Sequence, residues 1–166
     1  IDREVDSTST LPERLSEPRF HRVEDAVNHR QPRTFEIEMQ RMVWLLNGRT
    51  WEMEAVARDE IVRLGDLEVW EFVNQSGMMT MAHPMHVHNV QFQVLERQVL
   101  PPLQETWDAV RDGYLDEGWK DTVLVMPGER VKVLLKFEDY EGLYLYHCHI
   151  LEHEDQGMMR NYRVKA

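Results

Sequence analysis

Fifteen residues, Tyr144 to Met158, restrict this chain more than any others. They hold its only cysteine, three of its eight histidines and a methionine, in the order His147-Cys148-His149, His153, Met158. On a β-strand neighbouring side chains point to opposite faces. Cys148 therefore faces one way, and His147 and His149 face the other. A second cluster, His83-Pro84-Met85-His86-Val87-His88, carries three more histidines. His86 and His88 share a face, while His83, an odd number of residues away, can face the opposite way. If the two clusters lie on adjacent strands, one side collects Cys148 and His83, and the other collects His86, His88, His147 and His149. The stretch from Glu152 to Gly157 suits a short helical turn, which would fold His153 and Met158 back toward Cys148.

Two imidazoles, one thiolate and a weak axial thioether make a trigonal blue-copper electron-transfer site. The thiolate is the soft ligand, and coordination deprotonates it outright. Three other readings fit less well. A structural zinc site could use Cys and His, but one cysteine among six clustered histidines is unusual for that role. His149-Ile150-Leu151-Glu152-His153 matches the inverted zinc-protease pattern, which must sit wholly on one helix; here its first histidine belongs to the strand-like run. A buried cysteine with incidental histidines would have to gather six of the eight histidines into two clusters by chance.

The rest of the chain agrees with a β architecture. Thr34–Met39 and Leu67–Val73 alternate apolar and polar with period two. Met42–Leu46 runs into the turn signal Asn47-Gly48. Glu60–Leu64, Val87–Val99, Thr122–Val125, Arg130–Phe137, Gly142–Tyr146 and Asn161–Val164 continue the series. Eight or so short strands predict an all-β sandwich. Leu103 to Leu115 is the exception: acidic, with Trp107, Val110 and Leu115 on one helical face, it reads as a short surface helix or lid. Residues 1–33 are polar, with Pro12, Pro18 and Pro32, and read as an extended linker or strap that Leu11, Leu15 and Phe20 could pin. His21 and His29 lie in it as exposed histidines.

Composition closes some options. A formal charge of −11 would repel nucleic acid and anionic membrane surfaces. One cysteine excludes an internal disulfide, and no apolar run is long enough for a transmembrane helix. No signal peptide is visible, and the chain begins at Ile1, as a processed or excised fragment would.

His83-Pro84-Met85-His86-Val87-His88 resembles the His-Pro-x-His-x-His motif of multicopper oxidases. The run from His147 through His153 to Gly157-Met158 resembles their His-Cys-His-x-x-x-His-x-x-x-Gly-Met motif. Trp119-Lys120-Asp121-Thr122 and Gly128-Glu129 also fit, so the resemblance covers about residues 34–166 and is nearest to bacterial laccase, copper-efflux oxidase and bilirubin oxidase. It implies a C-terminal Greek-key cupredoxin domain over 34–166, with a short helix after the His-Cys-His strand. It also implies type 1 copper on His83, Cys148, His153 and axial Met158, type 2 copper on His86, and type 3 coppers on His88, His147 and His149. Asn89 departs from the pattern, since many members have glycine there. Met158 as axial ligand implies a moderate potential, and Met159 reads as core.

In the implied activity a small reducing substrate donates single electrons at the edge of His153. They pass through Cys148 to the coppers held by its neighbours, where four electrons and four protons convert dioxygen to two waters. Glu154, with Asp155 as a lesser candidate, could supply protons; a solvated acidic turn is the plainer alternative. The family's trinuclear cluster takes eight histidines and this chain supplies four, so an N-terminal cupredoxin domain of the same or another chain must supply the rest. The alternative is a stand-alone blue-copper electron carrier. The resemblance further implies a periplasmic, extracellular or cell-surface location. Met78, Met79, Met81 and Met85 could offer thioethers to cuprous ion, though pliable core filling is the commoner use of methionine. Trp107 and Trp119 could flank a phenol, or more simply pack at strand ends.

Overall fold

A computed structural model describes residues 10, 12, 13, 15–74 and 81–166. The alternating stretches form strands because their apolar sides face one another across two stacked sheets. The first sheet contains β1 (Arg33–Gln40), β2 (Val43–Leu46), β4 (Leu67–Asn74), β6 (Phe92–Val99) and β8 (Glu129–Lys136), in the order β2-β1-β4-β8-β6. The second contains β3 (Ile61–Arg63), β5 (His83–Val87), β7 (Thr122–Val125), β9 (Gly142–Cys148) and β10 (Met159–Lys165), in the order β3-β10-β9-β5-β7. Aromatic side chains fill the space between the sheets: the Phe35 ring lies 4.6 Å from Trp70 and 4.7 Å from Tyr146, and Trp70 lies 5.4 Å from Tyr162. The all-β sandwich is as expected. Among the described residues no helix is long and apolar enough to cross a membrane.

Four expectations need correction. Leu67–Val73 alternates in sequence, yet β4 is buried on both faces, Glu68 and Glu71 included. It is a central strand whose outer face is covered by the N-terminal segment. Ala26 packs on Leu67, Val69 and Leu134, Asn28 exchanges hydrogen bonds with the Val69 backbone, and Arg33 forms a bidentate pair with Glu68 at 2.8 and 2.7 Å. Residues 26–33 are thus fastened to the sandwich, whereas of the residues expected to pin the strap Leu15 is exposed, Phe20 lies 5.9 Å from the Trp119 ring and Leu11 lies outside the described residues. Within it His29 is exposed as expected, but His21 is half-buried against Trp119 at 5.6 Å.

The single strand expected over Val87–Val99 is two. Asn89 adopts φ 69°, turning the chain from β5 in one sheet to β6 in the other. Asparagine tolerates this left-handed conformation better than most residues, so the departure from glycine expected at this position costs the turn little. The expected lid over Leu103–Leu115 is a broken one: a 3₁₀ turn at Pro101–Leu103, α1 (Gln104–Asp108) and a 3₁₀ turn at Arg111–Gly113. Leu115 lies outside its apolar face at 80% exposure. Trp107 is held instead by Tyr114 at 4.8 Å and by the Arg97 guanidinium. Of the methionines near the first histidine cluster, Met85 is core and Met81 is exposed, whereas Met78 and Met79 lie outside the described residues.

Candidate metal centre

β5 and β9 run antiparallel side by side, with Met85 opposite Cys148 and His86 opposite His147. That register sorts the histidines. His83, Met85 and Cys148 point inward and are fully buried. After Cys148 the chain enters α2 (Leu151–Asp155), which returns it at once: His153 donates its backbone N–H to the Ile150 carbonyl, and Met158 donates to that of His153 at 2.9 Å. Cys148 N–H then bonds the Met158 carbonyl at 3.2 Å. The reversal needs Gly157, whose φ is 91° and where a Cβ would meet Thr50 Oγ1 at 2.3 Å.

The outcome is a compact inner group. Cys148 Sγ lies 3.6 Å from His83 Nδ1 and 3.5 Å from His153 Nδ1. Met158, fully buried, belongs to the same core cluster. His83 Nε2 is buried with no hydrogen-bond partner. A thiol facing two imidazole nitrogens at these distances, with little else polar around it, is a donor set that suits a soft transition metal.

The outer face of β5 and β9 carries the other group. His86, His88 and His147 each offer a ring nitrogen within 4.8 Å of the others, and His88 Nε2 lies 3.2 Å from His147 Nε2. Two rings are oriented by carbonyl oxygens, which only accept: His86 Nδ1–H donates to Asp121 O at 2.8 Å and His147 Nδ1–H to Cys148 O at 3.0 Å. Each ring therefore engages its carbonyl through Nδ1 and leaves Nε2 for the shared space. His149 stands outside this triplet. It is exposed, stacked on His147 at 5.4 Å and 5.6 Å from the His86 ring. Glu154, half-buried, places Oε2 3.4 Å from His147 Nδ1, whereas Asp155 is exposed. The face opens into a cleft of about 590 Å³ lined by His86, His88, Trp119 and Lys136.

Burial sets the protonation states. It pushes the His83 imidazole down to about 4, helped by neighbouring His153, and the Cys148 thiol up to about 11. Burial is also the first cause of the lowered values of His88, His147 and His153. Without a cation the inner group is thus neutral. The linkage has a definite sign. Below about pH 6.5 the unfolded chain binds a proton at His83 that the folded chain refuses until about pH 4, so stability falls with pH across that window. Above about pH 9 the unfolded chain releases a thiol proton that the folded chain keeps until about pH 11, so stability falls as pH rises. Urea unfolding of the metal-free chain is expected to show a plateau between pH 6.5 and 9 with losses on both sides. A flat profile from pH 4 to 7 contradicts the assignment to His83.

Sequence reasoning missed the residues that support these groups. Trp44 on β2 lies 4.7 Å from the His83 ring and 4.6 Å from that of His153. Arg160 and Tyr146, directly opposite each other on β10 and β9, both bond the buried carboxylate of Glu60, at 2.8 Å through the guanidinium and 3.0 Å through the phenol. Glu60 and Arg160 are 100 residues apart, and nothing local in either segment signals the partner.

The family description "Multicopper oxidase" matches residues 26–166. The chain is 37% identical over 131 residues to a laccase of Bacillus subtilis, covering 74% of this chain and 24% of that protein. It is 32% identical over 126 residues to a bilirubin oxidase of Albifimbria verrucaria, covering 68% and 19%. Among solved structures it is similar to the McoA multicopper oxidase of Aquifex aeolicus, with a TM-score of 0.74 and 37% identity, over 95% of this chain and 33% of that one. The chain thus spans about a quarter of the length of the curated relatives it matches.

Proposed function

The chain belongs to the multicopper oxidase family, and we propose that it is the electron-accepting part of a laccase-like oxidase that reduces dioxygen to water. His83, Cys148 and His153, with Met158 buried in the same core cluster, would hold the type 1 copper. His86 would serve a type 2 copper, and His88, His147 and His149 the type 3 pair. Bound copper supplies a one-electron couple that the protein's own side chains lack.

The observation that carries the reading is the position of Cys148 within β9. Its thiol belongs to the inner group, while its covalent neighbours His147 and His149 face the outer one. Electrons received on one side of the sheet have only a few bonds to cross to the other. The remaining residues prepare the ground. Burial keeps the His83 imidazole neutral and its lone pair free, carbonyls fix the His86 and His147 rings with Nε2 outward, and the Met158 backbone ties the α2 loop to Cys148. The chain would contribute four histidines to the cluster, the three gathered on the outer face and His149 beside them, and the family resemblance asks for eight. The others would come from a further cupredoxin domain docked over the cleft beside His86 and His88, with dioxygen and a small reducing substrate as the reactants.

The test is a copper count, an absorption spectrum and an oxygen electrode on the copper-loaded chain. One tightly held copper, an intense blue thiolate band and no oxygen uptake are expected, with uptake appearing in the oxidase that includes the partner domain. Colourless metal binding refutes the type 1 assignment, and oxygen reduction by the chain alone refutes the incomplete cluster. A blue chain that exchanges electrons and gains no oxygen uptake in any larger assembly is a free-standing carrier.

Glu154 has a role in the same reading. Its carboxylate beside His147 Nδ1 is placed to deliver protons toward the outer group. In the complete oxidase Glu154→Gln is expected to slow oxygen reduction by about 10²-fold, within the range for a lost general acid, and to leave the blue band unaltered. Unchanged turnover and pH profile reduce Glu154 to a solvated turn residue.

A further inference from the structure

Trp44 is a buried indole that the proposed chemistry does not use. It sits on β2, the edge strand of its sheet, next to exposed Met42 and Val43 and opposite Met39 of β1. Its own exposure is 6%. The ring crosses to the other sheet and meets both inner imidazoles, steeply inclined to His83 at 73° and tilted against His153 at 39°. His153 is itself only 6% exposed. The indole is therefore a wall between the solvent edge of the sandwich and two of the proposed ligands.

Resting on the type 1 reading of that group, we propose that Trp44 is a positioning residue that sets the reduction potential of the bound copper, and so decides which donors the domain can oxidise. A site with one thiolate and neutral imidazoles carries one positive charge with cupric ion and none with cuprous ion. An environment that excludes water penalises the charged state, so a dry site favours the cuprous form and a high potential. Trp44 supplies that dryness. Truncating it opens a cavity beside the His83 and His153 rings, and the buried His83 Nε2, which has no partner in the intact chain, gives an entering water a group to bond. Such a cavity takes up water, where a purely apolar one would stay empty. Water beside the imidazoles stabilises the cupric form and lowers the potential.

The specificity consequence is direct. A high potential admits weak reductants such as electron-poor phenols; a lower one restricts the domain to easily oxidised donors, whatever their shape. The residue acts through the driving force of electron transfer, with no need to touch the donor.

The experiment is a redox titration of the blue band in the copper-loaded chain carrying Trp44→Phe, Trp44→Leu or Trp44→Ala, with urea unfolding of the same proteins. Phenylalanine, still an apolar ring, is expected to keep the potential, leucine to lower it slightly, and alanine to shift the cuprous-to-cupric binding ratio about tenfold, which is about 59 mV for a one-electron couple. If the alanine variant does not fold, the order of the phenylalanine and leucine variants decides. Equal potentials in all folded variants, whatever their loss of stability, overturn the proposal and leave Trp44 as packing. A wild-type chain with no blue band sinks the type 1 reading itself, which keeps the two failures apart.

Discussion

Cys148→Ser abolishes the intense visible absorption of the copper-loaded chain and, in an oxidase that contains this domain, lowers kcat by about 10³-fold or more, while the metal-free fold survives. The losses follow from two duties that the proposed reading gives to one atom. Sγ, which lies 3.6 Å from His83 Nδ1 and 3.5 Å from His153 Nδ1, would be the soft ligand and would begin the covalent route to His147 and His149. A serine hydroxyl is a hard donor that stays protonated and gives no thiolate charge transfer. Outer-shell changes around metals typically cost about 10–100-fold, and removing the ligand that also conducts should exceed that. The fold should lose less than about 1 kcal/mol, because a buried hydroxyl is costly only when unpaired and His83 Nδ1 or His153 Nδ1 is there to accept from it. Absorption and paramagnetic resonance spectra, oxygen-uptake turnover of the oxidase and a urea titration check the three statements. A serine variant that keeps the blue band refutes the role of Cys148.

Glu60→Ala has the largest expected effect on stability, about 3–5 kcal/mol, the cost of leaving one partner of a buried ion pair behind. Glu60 is fully buried and the Arg160 side chain is 3% exposed. Removing the carboxylate strips the guanidinium of two hydrogen bonds at 2.8 Å, the Tyr146 phenol of its acceptor and the Ala57 N–H of its partner. Tyr146 precedes Cys148 by two residues and Arg160 follows Met158 by two, so the damage reaches both strands that flank the inner group. Copper retention should weaken along with the fold. Replacing Glu60 and Arg160 together by apolar residues of similar volume should recover much of the loss, since the pair is needed mainly because each charge is there. A urea midpoint for the single variant within about 1 kcal/mol of wild type shows that water reaches the pair and rejects this account.

The division of the histidines and the cysteine between two faces was legible in the sequence because strand parity is a local property: His147 and Cys148 end β9, His149 follows it, and His83–His88 lie on or beside β5. The supporting residues were not. Trp44 reads as one more apolar residue of a strand, and only the approach of the two sheets brings it against His83 and His153. Leu67–Val73 alternates as a half-exposed strand should, and nothing in that stretch announces that the N-terminal segment covers its outer face. The break between β5 and β6 had a signal in Asn89, at a position where a left-handed residue is needed, but an asparagine between two β-rich runs does not by itself require a change of sheet.

The back-to-back use of β9 also limits how such a chain can change in length. A single-residue insertion or deletion within His83–His88 or His147–Cys148 slips the strand by one position and exchanges its faces, destroying the inner and outer groups in one event. The broken-helix segment Pro101–Gly113 between β6 and β7 holds no residue of either group, so a change of length there leaves both sets of faces in place. Diversity of length among chains built on this plan should therefore collect there, while the two ligand runs keep their spacing to the residue.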